Sequence, residues 1–152
     1  SIKYADDKNQ HTQSYLELCR EFSEEIIKPE FGKQEQNQFL ANTVDYFKEN
    51  ESVEYHAFKD ELFEEEKHKE MFDDYKKHFE SLNDVLIRNN FEVSDAVLKK
   101  EKQKIKTTIK LDTHIEIKLD IDAPHAASEY LERGYDEEKK MKYYKVYFNE
   151  EK

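Results

Sequence analysis

The sequence predicts an α+β fold: an acidic helical subdomain of four to five helices over residues 1–98, followed by a small antiparallel sheet of three to four strands built from two hairpins in 99–152. Three observations predict it. Apolar residues recur at helical spacing through the first part, and from Ile105 onward the period switches to two. The charge changes at the same boundary: residues 1–98 hold 12 Lys/Arg against 24 Asp/Glu, a net of −12, and residues 99–152 hold 13 against 12, a net of +1.

Thr12 reads as the N-cap of a first helix over about 13–27, with Tyr15, Leu18, Cys19, Phe22 and Ile26 on one stripe, stopping before Pro29 because the residue ahead of proline avoids the α region. Phe39, Leu40, Val44 and Phe47 mark a second helix ending near Asn50. Ser52 is expected to cap a third, carrying Tyr55, Phe58, Leu62 and Phe63. Met71, Phe72, Tyr75, Phe79, Leu82 and Leu86 mark a longer fourth. Phe91 and Val93 fit a brief strand or an extended link, and Ser94 caps a short fifth helix that runs into the lysine-rich segment.

Ile105, Thr107, Ile109 and Leu111 then alternate with Lys104, Lys106, Thr108 and Lys110. A turn at Asp112-Thr113 leads to a return strand with Ile115, Ile117, Leu119 and Ile121 on one face, ended by Pro124. A second hairpin runs from Ser128 to Tyr135, turns through Asp136 to Lys140, and returns over Met141 to Asn149. The Ile-rich face is expected under the helices, with a polar, partly basic face outward.

The chain has 152 residues, room for one domain with a real core, and lacks an initiator Met, as an excised piece of a longer protein, N-terminal processing or a tag remnant would each explain. Although 40% of residues are charged, 10 Tyr and 10 Phe supply more buriable surface than disordered chains carry. No window approaches the roughly 18 apolar residues of a membrane span. The single cysteine, Cys19, and the absence of a secretory apolar core point to a cytoplasmic setting. A formal charge of −11 argues against a nucleic-acid-binding surface over the whole molecule, so the distribution of cations decides the matter.

Four stretches carry a family resemblance: Gln13-Ser-Tyr-Leu-Glu-Leu-Cys-Arg-Glu-Phe22, Ile109-Lys-Leu-Asp-Thr-His-Ile-Glu-Ile117, Glu132-Arg-Gly-Tyr-Asp-Glu-Glu-Lys139 and Met141-Lys-Tyr-Tyr-Lys-Val-Tyr-Phe148. With them the chain resembles the C-terminal half of the bacterial nucleoid-associated protein family known as NdpA. The resemblance implies a longer, cytoplasmic protein that associates with the compacted chromosome and binds DNA. It brings no catalytic residues. One departure is Lys140, where the turn before Met141 is expected to hold a glycine; a left-handed lysine there costs roughly 1 kcal/mol.

The candidate nucleic-acid footprint is Lys99, Lys100, Lys102, Lys104, Lys106 and Lys110, joined by Lys118 across the first hairpin and by Arg133, Lys142 and Lys145 on the second. Cations on one polar sheet face can track phosphates, and Tyr143 and Tyr147, on the same side as Lys145, can stack on unpaired bases. The plainer alternative is a solvated strand face whose lysines guard exposed edges. Glu65-x-x-His68 has the spacing of one half of a di-iron site, but the other half is missing, so it reads as an exposed helical pair. Asp112, Asp120 and Asp122 lack the spacing of a calcium loop, and Cys19 sits on an apolar stripe. No enzyme, cofactor or metal is expected.

The acidic residues Glu61, Glu64, Glu65, Glu66, Glu70, Asp73 and Asp74 fit a solvent face, a mimic of DNA charge or a dock for a basic protein partner. Two functions from different classes therefore stand: a nucleoid-associated domain that binds double-stranded DNA or assembles on it, and an interaction or homodimerisation module whose Tyr-rich hairpin packs on another subunit.

Overall fold

A computed structural model describes residues 7–123 and 129–152; the expected strand end at Pro124 and hairpin start at Ser128 lie outside the described residues. The fold is α+β, with helices followed by small antiparallel sheets. α1 (Lys8–Phe22) begins five residues earlier than the spacing predicts, because Asp7, not Thr12, is its cap, accepting a hydrogen bond from the Asn9 N–H at 2.9 Å. Thr12 is instead fully buried, its hydroxyl accepting from the Ser94 N–H at 2.9 Å.

Nor does Pro29 end the helical path. A π-turn over Ser23–Ile27 slips the hydrogen-bond register, so the proline falls in the first turn of α2 (Lys28–Phe31), where a missing donor has no helical partner to lose. Gly32, at φ 93°, breaks the chain into α3 (Lys33–Glu49), which ends at Asn50 as the sequence predicts. Ser52 is not a cap: Ser52–Glu54 is strand β1, and Glu54 caps α4 (Tyr55–Leu62) by accepting from Ala57.

α5 (Glu66–Asn83) stops at left-handed Asp84, leaving Leu82 72% exposed and Leu86 past the helix, so the apolar stripe ends a turn short of its expected length. β2 (Asn90–Glu92) resolves the strand-or-link alternative: it pairs antiparallel with β1, Val53 opposite Phe91. Ser94 caps α6 (Asp95–Lys102) as expected, accepting from Val97.

The core is aromatic. Tyr15 lies edge-on to Phe58 at 5.0 Å between ring centroids and contacts Phe47 and Phe91; Phe22 lies edge-on to Phe72 at 5.0 Å. Beside it, buried Lys59 donates to Asp73 at 2.7 Å, the Tyr55 hydroxyl donates to the same carboxylate at 2.6 Å, and the Lys59 ammonium stands 4.6 Å from the Tyr55 ring centre. Partial burial pulls the Asp73 carboxyl upward, but the hydrogen bonds from Lys59 and Tyr55 outweigh it and hold the carboxyl below its usual range. A depressed carboxyl stabilises the fold above the unfolded value near pH 4, and that contribution fades as pH falls through the lower folded value. Asp73→Asn is therefore expected to lower stability at pH 7 by about 2 kcal/mol and to flatten its dependence on pH below about 4, as read by urea unfolding across that window.

β3 (Thr108–Lys110) and β4 (Glu116–Lys118) form the first hairpin, with Ile109 opposite Ile117. Its turn extends to His114, at φ 66°, closing a three-residue loop with Leu111 N–H donating to Ile115 C=O. Ile109 and Thr107 are buried, and the Asn37 amide of α3 donates to the Thr107 carbonyl at 3.1 Å. Ile115, at the loop end, is 58% exposed and departs from the expected covered face.

β5 (Leu131–Asp136) and β6 (Met141–Val146) form the second hairpin. The Asp136 carboxylate accepts from the Glu138 and Lys139 N–H groups, each at 2.9 Å, and Lys140 closes the loop at φ 55°. The expected glycine position is thus occupied by a strained lysine. Lys140→Gly is expected to raise stability by about 1 kcal/mol or slightly less, measured by urea denaturation, since relief of left-handed strain exceeds the added entropy of the unfolded chain.

The two hairpins do not join into one sheet of three to four strands: each is a two-stranded sheet of its own. The first is tied to α3 by the Asn37–Thr107 hydrogen bond, whereas the second is anchored by Leu131, 5% exposed, whose carbonyl accepts from Gln34 at 2.9 Å. No ladder connects the two anchor points.

Candidate nucleic-acid interface

Separate hairpins distribute the expected footprint over several surfaces rather than one sheet face. Lys99 and Lys100 project from the exposed side of α6. Lys102 bonds Asp122 at 3.0 Å, and Lys48 of α3 reaches the same carboxylate, which these two ammonium groups hold below the usual range. Lys104 bonds Glu101 at 2.9 Å, a carboxylate that is itself buried and lies 3.7 Å from Arg20. Lys106 is exposed; Lys110 faces Glu116 across the strands, and Lys118 faces Thr108. Lys102 and Lys104 are therefore paired within the fold, which leaves Lys99, Lys100, Lys106, Lys110 and Lys118 without an ion pair among the described residues.

On the second hairpin, cross-strand register sorts the candidates onto opposite faces, because directly opposed residues share a face and the side-chain period is two. Glu132 pairs with Lys145 and Gly134 with Tyr143 on one face. Lys145 lies 4.0 Å from Glu132 and 5.9 Å from the Tyr147 ring centre, and the Tyr147 hydroxyl donates to Glu132 at 3.1 Å. The Tyr143 ring lies directly over Gly134: a Cβ at 134 would come within 2.8 Å of its Cε1, so only glycine admits the ring there. Tyr143, Lys145 and Tyr147 do share a side, as the alternation predicts, with Glu132 offsetting the lysine.

The opposite face carries Arg133 against Tyr144 and Tyr135 against Lys142. It borders a cavity of about 420 Å³ between this hairpin and the Leu111-Asp112-Thr113 turn of the first one. Lys140 lines it too, and Met141 and Tyr143 reach it from the hairpin's other face, so three cations and three tyrosines converge, with Asp112 the one carboxylate in the wall. Arg133, Lys140 and Lys142 have no ion pair among the described residues. The Arg133 guanidinium reaches back to the α2–α3 break, where a Cβ on Gly32 would stand 2.9 Å from its Nη1, so Gly32 supplies both the positive φ and the clearance.

Lys140, Tyr135 and Tyr144 are absent from the footprint read off the sequence. Carrying the alternation across the Glu137–Lys140 loop, instead of reading each strand alone, places Tyr135 and Tyr144 beside Arg133 and Lys142; the positive φ of Lys140, which turns its side chain toward the groove mouth, has no signal in residue spacing.

Among the described residues no group of three or more His, Cys, Asp or Glu is placed to hold a metal ion, and Glu65 and His68 form a simple pair at 3.8 Å. No helix of the described residues is long and apolar enough to cross a membrane. Cys19 is buried, and burial pushes its thiol well above the ordinary range, so it is a packing residue of α1.

No curated protein and no solved structure matches the chain. A family model does match, over residues 2–142, under the description nucleoid-associated protein YejK, which is the family that the end motifs of the sequence resemble. The match spans nearly the whole chain, and the protein belongs to the YejK family of nucleoid-associated proteins.

Proposed function

We propose that this chain contributes to the nucleoid role of its family by holding double-stranded DNA through the phosphate backbone, along the groove formed by Arg133, Lys140 and Lys142. The observation that carries this reading is the convergence of those three cations with Tyr135, Tyr143 and Tyr144 on one groove, where other lysines of the region are matched by Asp122, Glu101 and Glu132. With a chain charge of −11, contact with DNA needs such a local concentration of unpaired positive charge. Lys99, Lys100, Lys106 and Lys118 extend the positive field toward α6 and the first hairpin. Binding of this kind is insensitive to base sequence and falls steeply with salt. The setting that follows is the cytoplasmic nucleoid, with no catalytic step and no cofactor.

A mobility shift on duplex DNA at low and high salt tests the reading. The wild-type chain should shift at low salt and release at high salt, while R133E/K140E/K142E should fail to shift; equal shifts for both would remove the groove from the interface.

A second reading rests on a different observation. Met141, Val146, Tyr147 and Phe148 are all more than 40% exposed, and the second hairpin is paired to no further strand among the described residues. Apolar exposure on an isolated ribbon suits contact with a second copy of the chain. A mass that doubles with concentration, without any DNA shift, would favour that function over the first.

A further inference from the structure

The acidic half of the molecule holds an apolar cavity of about 300 Å³ between the π-turn and the helices that follow it. Ile26, Ile27, Phe31, Leu62, Phe63 and Met71 form much of its wall. The local backbone explains why it exists. The π-turn over Ser23–Ile27 and the short α2 interrupt the regular helix, and Gly32 turns the chain into α3, so the cavity opens at this break in the helical path, facing Leu62 to Met71. Phe31 stays 39% exposed at the mouth, its ring edge-on to His68 with 5.5 Å between centroids.

The rim has one sign of charge. Glu35, Glu64 and Glu65 lie at the opening, all exposed, and no Lys or Arg lines the cavity. An apolar socket ringed by carboxylates selects a large apolar side chain flanked by cations. Its volume is at the lower end of the roughly 300–1,000 Å³ of small-molecule sites, which suits one or two side chains rather than a bulky ligand. Amphipathic helices bind in this way, apolar anchors in a groove and charges at the edge.

We propose that this socket docks a lysine- or arginine-rich amphipathic segment of a partner protein, which inserts an apolar residue between Ile26, Leu62 and Met71 while its cations face Glu35, Glu64 and Glu65. The acidic helices then have a role separate from DNA contact, the recruitment of a basic protein.

The test uses a fluorescein-labelled synthetic peptide, lysine-rich and carrying one Leu-Phe pair, titrated with the full chain and followed by anisotropy and by the Met71 methyl resonance. Binding should move the Met71 signal. It should weaken about tenfold in E64K/E65K, about tenfold when the peptide's Leu-Phe pair becomes Ala-Ala, and hardly at all in E137K/E138K, which makes the same charge change on the second hairpin's loop. The rim residues are exposed, so their reversal leaves the fold intact. No binding, equal loss in both double variants, or indifference to the Leu-Phe pair would overturn the proposal. So would a chain that self-associates through this face, shown by a dimer mass that E64K/E65K abolishes, because the occupant would then be a second copy.

Discussion

Phe72→Ala is expected to cost about 4 kcal/mol of stability, within the 3–5 kcal/mol range for emptying a fully buried aromatic site. Phe72 has no exposed surface, and its ring meets Phe22 at 5.0 Å, Phe63 at 5.5 Å, and Tyr55 and Phe58 each at 6.0 Å. It joins α5 to α1 and α4 at once, so truncation leaves a hole that no one element can fill by shifting. Domains of this size have about 5–15 kcal/mol in total, so the variant should unfold at a much lower urea concentration with an unchanged slope. Phe72→Leu retains most of the volume and should cost about 1–2 kcal/mol. A loss under 1 kcal/mol for the alanine would mean that the aromatic cluster is not the centre of the fold.

The second large effect falls on DNA affinity. Each phosphate neutralised by a cation contributes about −0.9 to the slope of log K against log salt for duplex DNA. If Arg133, Lys140 and Lys142 each hold one phosphate, their combined reversal should flatten that slope by about 2.7, close to a 500-fold loss at 0.1 M salt relative to 1 M. Reversal of Lys102 and Lys104 should do far less, because Asp122 and Glu101 already neutralise them. Fluorescence anisotropy over a salt series separates the two variants. Parallel salt slopes in the wild type and the triple variant would place the phosphate contacts elsewhere.

Elements whose form is set by burial were legible in the sequence. Phe39, Leu40, Val44 and Phe47 gave α3 and its end at Asn50, and Ile109 and Ile117 meet across the first hairpin because only one face of that ribbon is covered. Elements set by a single hydrogen bond were not. Thr12 and Ser52 have the chemistry of caps, yet Asp7 and Glu54 cap the helices, since tertiary contacts draw Thr12 onto Ser94 and Ser52 into a strand with Glu92. Pro29 misled for a related reason: the π-turn that accommodates it leaves no periodic trace.

At the candidate interface, strand alternation placed Tyr143, Lys145 and Tyr147 on one side, as the register has them. What alternation alone did not show was the division of labour between the two faces. Glu132 pairs with Lys145 on one side, and Arg133, Lys140 and Lys142 have no ion pair among the described residues, a distinction that depends on the register set by the Asp136 loop.

The central claim is that DNA lies on the Arg133–Tyr144 face of the second hairpin. The most direct test is a titration of the isotope-labelled chain with a short duplex, following backbone amide resonances. The account predicts that the largest shifts fall in Leu131–Asp136 and Met141–Val146 and in the Asp112-Thr113 turn, and that they reverse on adding salt. Shifts confined to α6 and the first hairpin, with the second hairpin unmoved, would contradict it.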